Sequence, residues 1–421
     1  MSPNVSRRQV LKTALTGVVV GATSRILPAY TRGPVSANER IGLGIIGVGG
    51  LGGGGHHLGN VLRMPDFELL AVCDVDSRRV DSAVKKSKGK AQGYADFRKL
   101  HERKDIDAVI IASPDHWHSI MSRHACMAGK DVYCEKPLSL TVAEGREMSD
   151  TARRYDRVFQ TGTQQRSDWR FRWACELVRN GKLGKIKSIR ACIGTGPKDT
   201  QVANSAPPKE LDFDSWLGPA PLVPYNSKRC HYKFRWWYDY SGGKMTDWGA
   251  HHHDIVQWAL DTELSGPTEI EATGVWPASN FLETAVDFDV HYTYPSGITM
   301  HTTSEGRNGI TFYGEKGELF VCRGAISANP KEILEDKVGT MPIQLQVSTS
   351  HHRNFVECIR TRKMALSDVE LSHRSATVCH LGNVSMLLGR KLQWDPDRER
   401  FEGDDAANRM LSRPQREGWR I

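Results

Sequence analysis

Glu135-Lys136-Pro137 sets one lysine between a carboxylate and a proline. The residue before a proline is pushed out of the α region into extended backbone, so this lysine stands in a pinned turn. Thr141-x-x-Glu144 follows, a capping box that starts the next helix. An ammonium held in this way can hydrogen-bond an alcohol oxygen while a hydride leaves the adjacent carbon. Farther along, Asp247 and His251 are four residues apart. On a helix that spacing makes them neighbours, and a carboxylate there would fix the imidazole's tautomer and raise its basicity. The pair would then serve as a general base for a hydroxyl proton. His252 and His253 are the runners-up for the same role. Three consecutive histidines do not converge on one ion, because helical neighbours point about 100° apart. His116 and His118 lie on another loop, and no cysteine or carboxylate set completes a tetrahedron, so no metal is expected.

These residues need elements that bring them together. From residue 41, apolar runs at Ile41–Gly47, Leu69–Asp74, Ala108–Ser113, Asp131–Cys134 and Val158–Gln160 alternate with longer stretches of helical periodicity. That alternation specifies βαβ units and a parallel sheet. The first run leads into Gly47-Val48-Gly49-Gly50-Leu51-Gly52, a G-x-G-x-x-G. Its glycines permit a tight turn and let backbone amides approach a pyrophosphate at a helix N-terminus. Asp74 ends the second strand, twenty-two residues after Gly52. An acid there bonds ribose hydroxyls and repels a 2′-phosphate, which favours NAD over NADP. Arg78 and Arg79 stand close enough to soften that preference. Gly53, Gly54 and Gly55 prolong the glycine run at about 1 kcal/mol of helix propensity each, so the first helix is expected to start late, near His56. Strand ends bind ligands in such sheets, which brings Ser113-Pro114-Asp115-His116-Trp117-His118 and Glu135-Lys136 to the candidate site.

Ala128-Gly129-Lys130-Asp131-Val132 followed by Glu135-Lys136-Pro137 resembles the signature of the glucose–fructose oxidoreductase and inositol 2-dehydrogenase family, Gfo/Idh/MocA. The run from Gly242 to Asp254 fits that family's G-G-x-L-x-D-x-G-x-H-x-x-D pattern, with Met245 in place of the leucine. With the glycine fingerprint, three motifs in order cover residues 44–254. The resemblance implies an N-terminal Rossmann doubly wound parallel sheet, then an α/β domain with a large open antiparallel sheet. It implies catalytic roles for Lys136, Asp247 and His251. It also implies NAD contacts at Gly47, Gly49, Gly50, Leu51, Gly52, Asp74, Ser113, Pro114, His118, Glu135, Lys136 and Gln164. The implied substrate is a carbohydrate or polyol, and the implied assembly a homo-oligomer formed through the antiparallel sheet.

The second half alternates in the way such a sheet requires. Strand patterns occur at Ile186–Ile193, Glu269–Val275, Ala285–Tyr294, Ile298–Thr303, Ile310–Tyr313 and Glu318–Cys322, several joined by short glycine turns. Residues 195–230 read as loop. Trp236, Trp237, Tyr238 and Tyr240 would serve a sugar platform or a core equally well, with Arg235 beside them to bond hydroxyls. Residues 350–392 read as helical with a Ser367-x-x-Glu370 capping box, and the tail from Asp395 shows little periodicity. The expected divisions are a leader and linker over 1–37, a Rossmann domain over 38–165, a sheet domain over 166–349, and C-terminal helices and tail over 350–421.

Composition narrows the classes further. The 421 residues carry 57 Lys+Arg against 49 Asp+Glu, and these charges are scattered, so no nucleic-acid patch is indicated. Nine cysteines without a CxxC pair read as free thiols. Ser6-Arg7-Arg8-Gln9-Val10-Leu11-Lys12 before a short apolar stretch resembles a twin-arginine export signal, an address and not an anchor. Export to the periplasm implies a tightly bound NAD, because free NAD is scarce outside the cytoplasm; an unused signal would leave the protein cytoplasmic. Three functions fit: an NAD-dependent oxidoreductase acting on a secondary alcohol of a sugar, glycoside or cyclitol; a redox-neutral NAD-dependent glycosidase; and a non-catalytic nucleotide-bound sugar-binding protein.

Overall fold

The computed structural model describes residues 39–419, so the twin-arginine segment lies outside the described residues. Strands β1 (Ile41–Ile46), β2 (Phe67–Cys73), β3 (Gln92–Tyr94), β4 (Ala108–Ile111), β5 (Asp131–Cys134) and β6 (Phe159–Thr161) form one sheet in the order β3-β2-β1-β4-β5-β6. Every pair in it is parallel. β1, β4 and β5 are buried along their whole length, as strands covered on both faces must be.

Register explains the site. Ile46 is level with Cys73 and Ile111, Ile111 with Cys134, and Cys134 with Thr161. The loops beginning at Gly47, Asp74, Ala112, Glu135 and Gly162 therefore leave the sheet along one line, at its carboxyl edge. Gly47 has φ +82°, and a side chain on it would strike the Ala112 backbone at 2.6 Å, so only glycine serves this turn. A single helical turn, Gly50–Gly53, follows; the helix proper begins at His57. The long glycine run delays that helix as its propensity cost requires.

The second sheet has nine strands: β7 (Ile186–Cys192), β8 (Glu269–Val275), β9 (Asp287–Thr293), β10 (Thr299–Thr303), β11 (Gly309–Gly314), β12 (Gly317–Cys322), β13 (Ala325–Asn329), β14 (Leu392–Asp395) and β15 (Arg400–Phe401). Their order is β13-β12-β11-β7-β10-β9-β8-β14-β15. β7 and β10 pair in parallel and the other neighbours antiparallel, so the sheet is mixed, not purely antiparallel. β14 and β15 come from the segment read as helix end and featureless tail; at four and two residues they are too short to show a period.

Helices His351–Thr361 and Val369–Leu388 cover residues 350–392 in two pieces. Asp368, not Ser367, caps the second, its carboxylate accepting from the Glu370 amide at 3.1 Å. The Ser367 hydroxyl already accepts from Thr163 at 2.8 Å, which frees the next residue for the cap. Val369 and Ala376 join the Rossmann core while Val378, Leu381 and Val384 join the core of the large sheet, so this helix spans both. Among the described residues no helix is long and apolar enough to cross a membrane. All nine cysteines are unpaired and all but Cys322 are buried.

Arg166, 1% exposed in the turn Gln164–Ser167 after β6, carries the charge cluster that fixes the next element. Its guanidinium donates to both Asp254 oxygens at 2.7 and 2.8 Å and to Glu263 at 2.6 Å. Ser375 donates to Asp254 as well, at 2.9 Å. Asp254 lies on helix Gly249–Leu260, which follows the second candidate catalytic motif. Arg166→Met should lower unfolding free energy by about 3–5 kcal/mol in urea titration, because Asp254 stays buried without its partner. The double variant Arg166→Met/Asp254→Leu should recover most of that loss.

Candidate active site

Lys136 and Asp247 meet across the two sheets. The lysine Nζ donates to Asp247 Oδ1 at 2.7 Å and to the Asp247 carbonyl at 3.0 Å. Arg235 Nε stands 3.5 Å from the same carboxylate oxygen. Burial opposes ionisation of Asp247, but Lys136 and Arg235 outweigh it and hold the carboxyl below its usual range.

The expected Asp247–His251 pair does not form. Asp247 ends a short helix, Gly243–Asp247, and the next begins at Gly249, so the two are not stacked on one continuous helical face. A cation 2.7 Å away also binds a carboxylate better than a neutral imidazole does. His251 is buried with its Nδ1 unpartnered. Burial, then the nearby Lys136 and Arg323 cations, push it well below the usual histidine range, so its basicity is lowered and not raised. His252 contacts Asn308 at 3.1 Å and Gln165 at 3.4 Å; His253 contacts Thr302 at 2.8 Å and the Cys379 thiol at 3.3 Å. These two are tied into the surrounding fold through both ring nitrogens.

A cavity of about 560 Å³ runs from the glycine loop to Lys136. Of the residues named from sequence, Gly47, Gly49, Gly50, Leu51, Asp74, Ser113, Pro114, Glu135 and Lys136 line it. Gly52 instead makes close packing possible, since a side chain there would sit 1.8 Å from the Gly47 carbonyl. A Cβ at Gly50 would meet nothing within 4 Å, so the loop leaves space above this glycine. Asp74 accepts from the Asp76 amide at 3.0 Å and lies 3.8 Å from Arg79. Arg78 is held by Asp76 at 3.0 and 2.8 Å, so of the two arginines Arg79 is the one at the cavity. An open glycine cradle with an acid at the second strand's end is the donor and acceptor set a dinucleotide needs.

His118 does not line this cavity. Its two ring nitrogens lie 2.8 Å from the Pro137 carbonyl and 3.0 Å from that of Ser113, so the ring clamps two site loops together. Burial works against its charged form, but Cys134, Asp115 and the Pro137 carbonyl raise it to about 10. Asp115, which faces the cavity and accepts from Ser241, is lifted by burial to about 6. Gln164 opens on a second cavity beside His56 and His352, with its Oε1 buried and unpartnered.

Several lining residues gave no sequence signal. Tyr232, Arg98 and Trp419 face the cavity, the last from the tail of little periodicity, beside the expected Trp117. Trp419 packs edge-on against Trp117 at 5.0 Å. Nothing local to residue 419 marks it, because its contact is 302 positions away. Trp236, Trp237 and Tyr240 are core, at 7%, 2% and 0% exposure, while Arg235 lines the cavity.

Fold and cavity define a two-domain, dinucleotide-binding dehydrogenase. Residues 41–163 match the model of the oxidoreductase family's NAD-binding Rossmann fold, and residues 195–421 that of its C-terminal alpha/beta domain. The chain belongs to this family, Gfo/Idh/MocA; it is an oxidoreductase and its cofactor is NAD. It is 27% identical over 356 residues to a myo-inositol 2-dehydrogenase of Thermotoga maritima, covering 82% of this chain and 93% of that one. It is 33% identical over 172 residues to a glycosyl hydrolase family 109 protein of a Shewanella species, covering 36% of this chain and 38% of the relative. The scyllo-inositol dehydrogenase structure from Lactobacillus casei shares the fold, with TM-score 0.62 and 21% identity over 84% of this chain and 99% of that one.

NAD should bind at least about tenfold, or ~1.4 kcal/mol, more tightly than NADP by calorimetry, and Asp74→Ala should erase the difference. His118 titrates higher in the fold than in the unfolded chain, so its stabilisation is complete below about pH 6.5 and lost as pH rises to about 10. The urea-midpoint gap between wild type and His118→Gln should accordingly be widest near pH 6 and shrink towards pH 10.

Proposed function

We propose that the protein oxidises a secondary alcohol on a sugar, glycoside or cyclitol ring, with Lys136 handling the hydroxyl proton. The observation that carries this reading is the Lys136–Asp247 contact at 2.7 Å, made at the end of the glycine-lined cavity. Bound NAD supplies the hydride acceptor, held by the glycine loop, Asp74 and the Ser113-Pro114 turn. Lys136 in its neutral amine form takes the proton from the hydroxyl, and the Asp247 carboxylate stabilises the ammonium so formed. His251 is buried and does not line the cavity, and Glu135 positions Lys136 by accepting its backbone amide at 3.1 Å. The relative named myo-inositol 2-dehydrogenase, matched over 93% of its length, supports a polyol or sugar ring as substrate.

A second reading, redox-neutral glycoside cleavage by oxidation, elimination and reduction, draws support from the relative named for glycosyl hydrolase family 109. Export through the twin-arginine segment, a tightly held NAD and association of copies through the nine-stranded sheet complete the proposal. Native mass spectrometry for retained NAD, then incubation with a panel of glycosides, separates the two readings. A keto-sugar product supports the dehydrogenase; aglycone release without net NADH supports the glycosidase.

Lys136→Ala should retain NAD and lose more than about tenfold in kcat, over ~1.4 kcal/mol of transition-state stabilisation. A variant that keeps more than a tenth of the wild-type kcat removes Lys136 from the chemistry. Because burial and the Lys136 and Arg323 cations hold His251 well below the usual histidine range, the kcat/KM profile should show no acid limb near the ordinary histidine pKa that His251→Ala removes.

A further inference from the structure

We propose that His56, His57 and Glu135 form a divalent-metal site of the two-histidine, one-carboxylate kind, joining the start of helix His57–Arg63 to the loop that carries Lys136. The ligand atoms of these three residues all lie within 4.8 Å of one another. His57 Nε2 is 2.9 Å from Glu135 Oε1, and the His56 and His57 ring centroids are 4.7 Å apart. Ligands bound at about 2.1 Å on one edge of a tetrahedron are ~3.4 Å apart, so His57 and Glu135 need separate by only a few tenths of an ångström.

The surroundings fit the same use. His57 turns its other nitrogen to His352 Nε2 at 3.0 Å, the outer contact that fixes the tautomer of a ligating histidine. Glu135 and His57 are 5% and 0% exposed, so a carboxylate sits buried beside imidazoles. His56 opens on a cavity of about 580 Å³ that is also lined by Gln164 and Asp168, with room for water to complete the coordination. Two imidazoles and one carboxylate suit zinc and its first-row neighbours.

A metal here would tie the start of helix His57–Arg63, just past the costly glycine run, to Glu135 and so to the Lys136 loop. This inference does not rest on the proposed reaction. Asp289, His291 and His301 make a second cluster on the large sheet, but its two rings stack face to face at 4.5 Å and 2°. Both Nε2 atoms close on one Asp289 oxygen, but His291 is exposed and the Asp289 side chain half-exposed, so this surface cluster lacks the buried outer contacts of the first and serves as a control.

The test uses tag-free full-length protein, stripped with chelator and titrated with zinc by calorimetry, with metal counted after gel filtration. One zinc per chain is expected, with a higher Tm for the zinc-loaded wild type. His56→Ala and Glu135→Gln should weaken binding about 100-fold or more and lose the Tm gain, while His291→Ala should bind as wild type does. His56 is only partly buried, so its variant keeps the test alive if Glu135→Gln does not fold. Absence of stoichiometric zinc, undiminished binding by His56→Ala, or loss of binding in His291→Ala would each overturn the proposal.

Discussion

The structure depends on a buried guanidinium. Arg166 follows the last strand of the parallel sheet and is met by Asp254, Glu263 and the Leu366 carbonyl, from two segments distant in sequence. A charge at 1% exposure persists only when its hydrogen-bonding positions are filled, so each partner is held where the arginine requires it. Helix Gly249–Leu260 is thereby fixed against the carboxyl edge of the Rossmann sheet. Asp247 lies just ahead of that helix, and its reach to Lys136 follows from this anchoring.

Around the site the loops are locked in pairs. His118 joins the Ser113 and Pro137 loops through two carbonyls, and His57 joins Glu135 to His352. The helix Val369–Leu388 sits in both cores and denies the two sheets an independent hinge at that place. The tail then closes one wall, Arg416 donating to the Gly218 carbonyl at 2.8 Å while Trp419 reaches Trp117. A cavity built this way is preorganised, which suits a reaction whose cost lies in orienting a ring carbon against a cofactor.

Electrostatics divide the histidines by task. Burial keeps His251, His252 and His253 neutral, but His252 and His253 are consumed by contacts to Asn308, Thr302 and Cys379. His251 retains an unpartnered Nδ1 because its one expected partner, Asp247, is taken by Lys136. The same competition sets the carboxylate below its usual range and keeps Lys136, which lines the cavity, hydrogen-bonded to it.

Much of the fold was legible in the sequence because its determinants are local. Strand and helix periods, the glycine turn at φ +82°, Asp74 at a strand end and Lys136 before a proline all depend on near neighbours. Only the tertiary structure decided who bonds whom. The break between Gly243–Asp247 and Gly249–Leu260 undid the i, i+4 pair that the spacing of Asp247 and His251 suggested, and gave the carboxylate to Lys136, 111 positions away. Trp419 on the cavity, Asp368 in place of Ser367 as the cap, and His57 meeting His352 across 295 positions are decisions of the same kind. Such partners are chosen by packing and by competition for buried polar groups, and neither is written in any local run of residues.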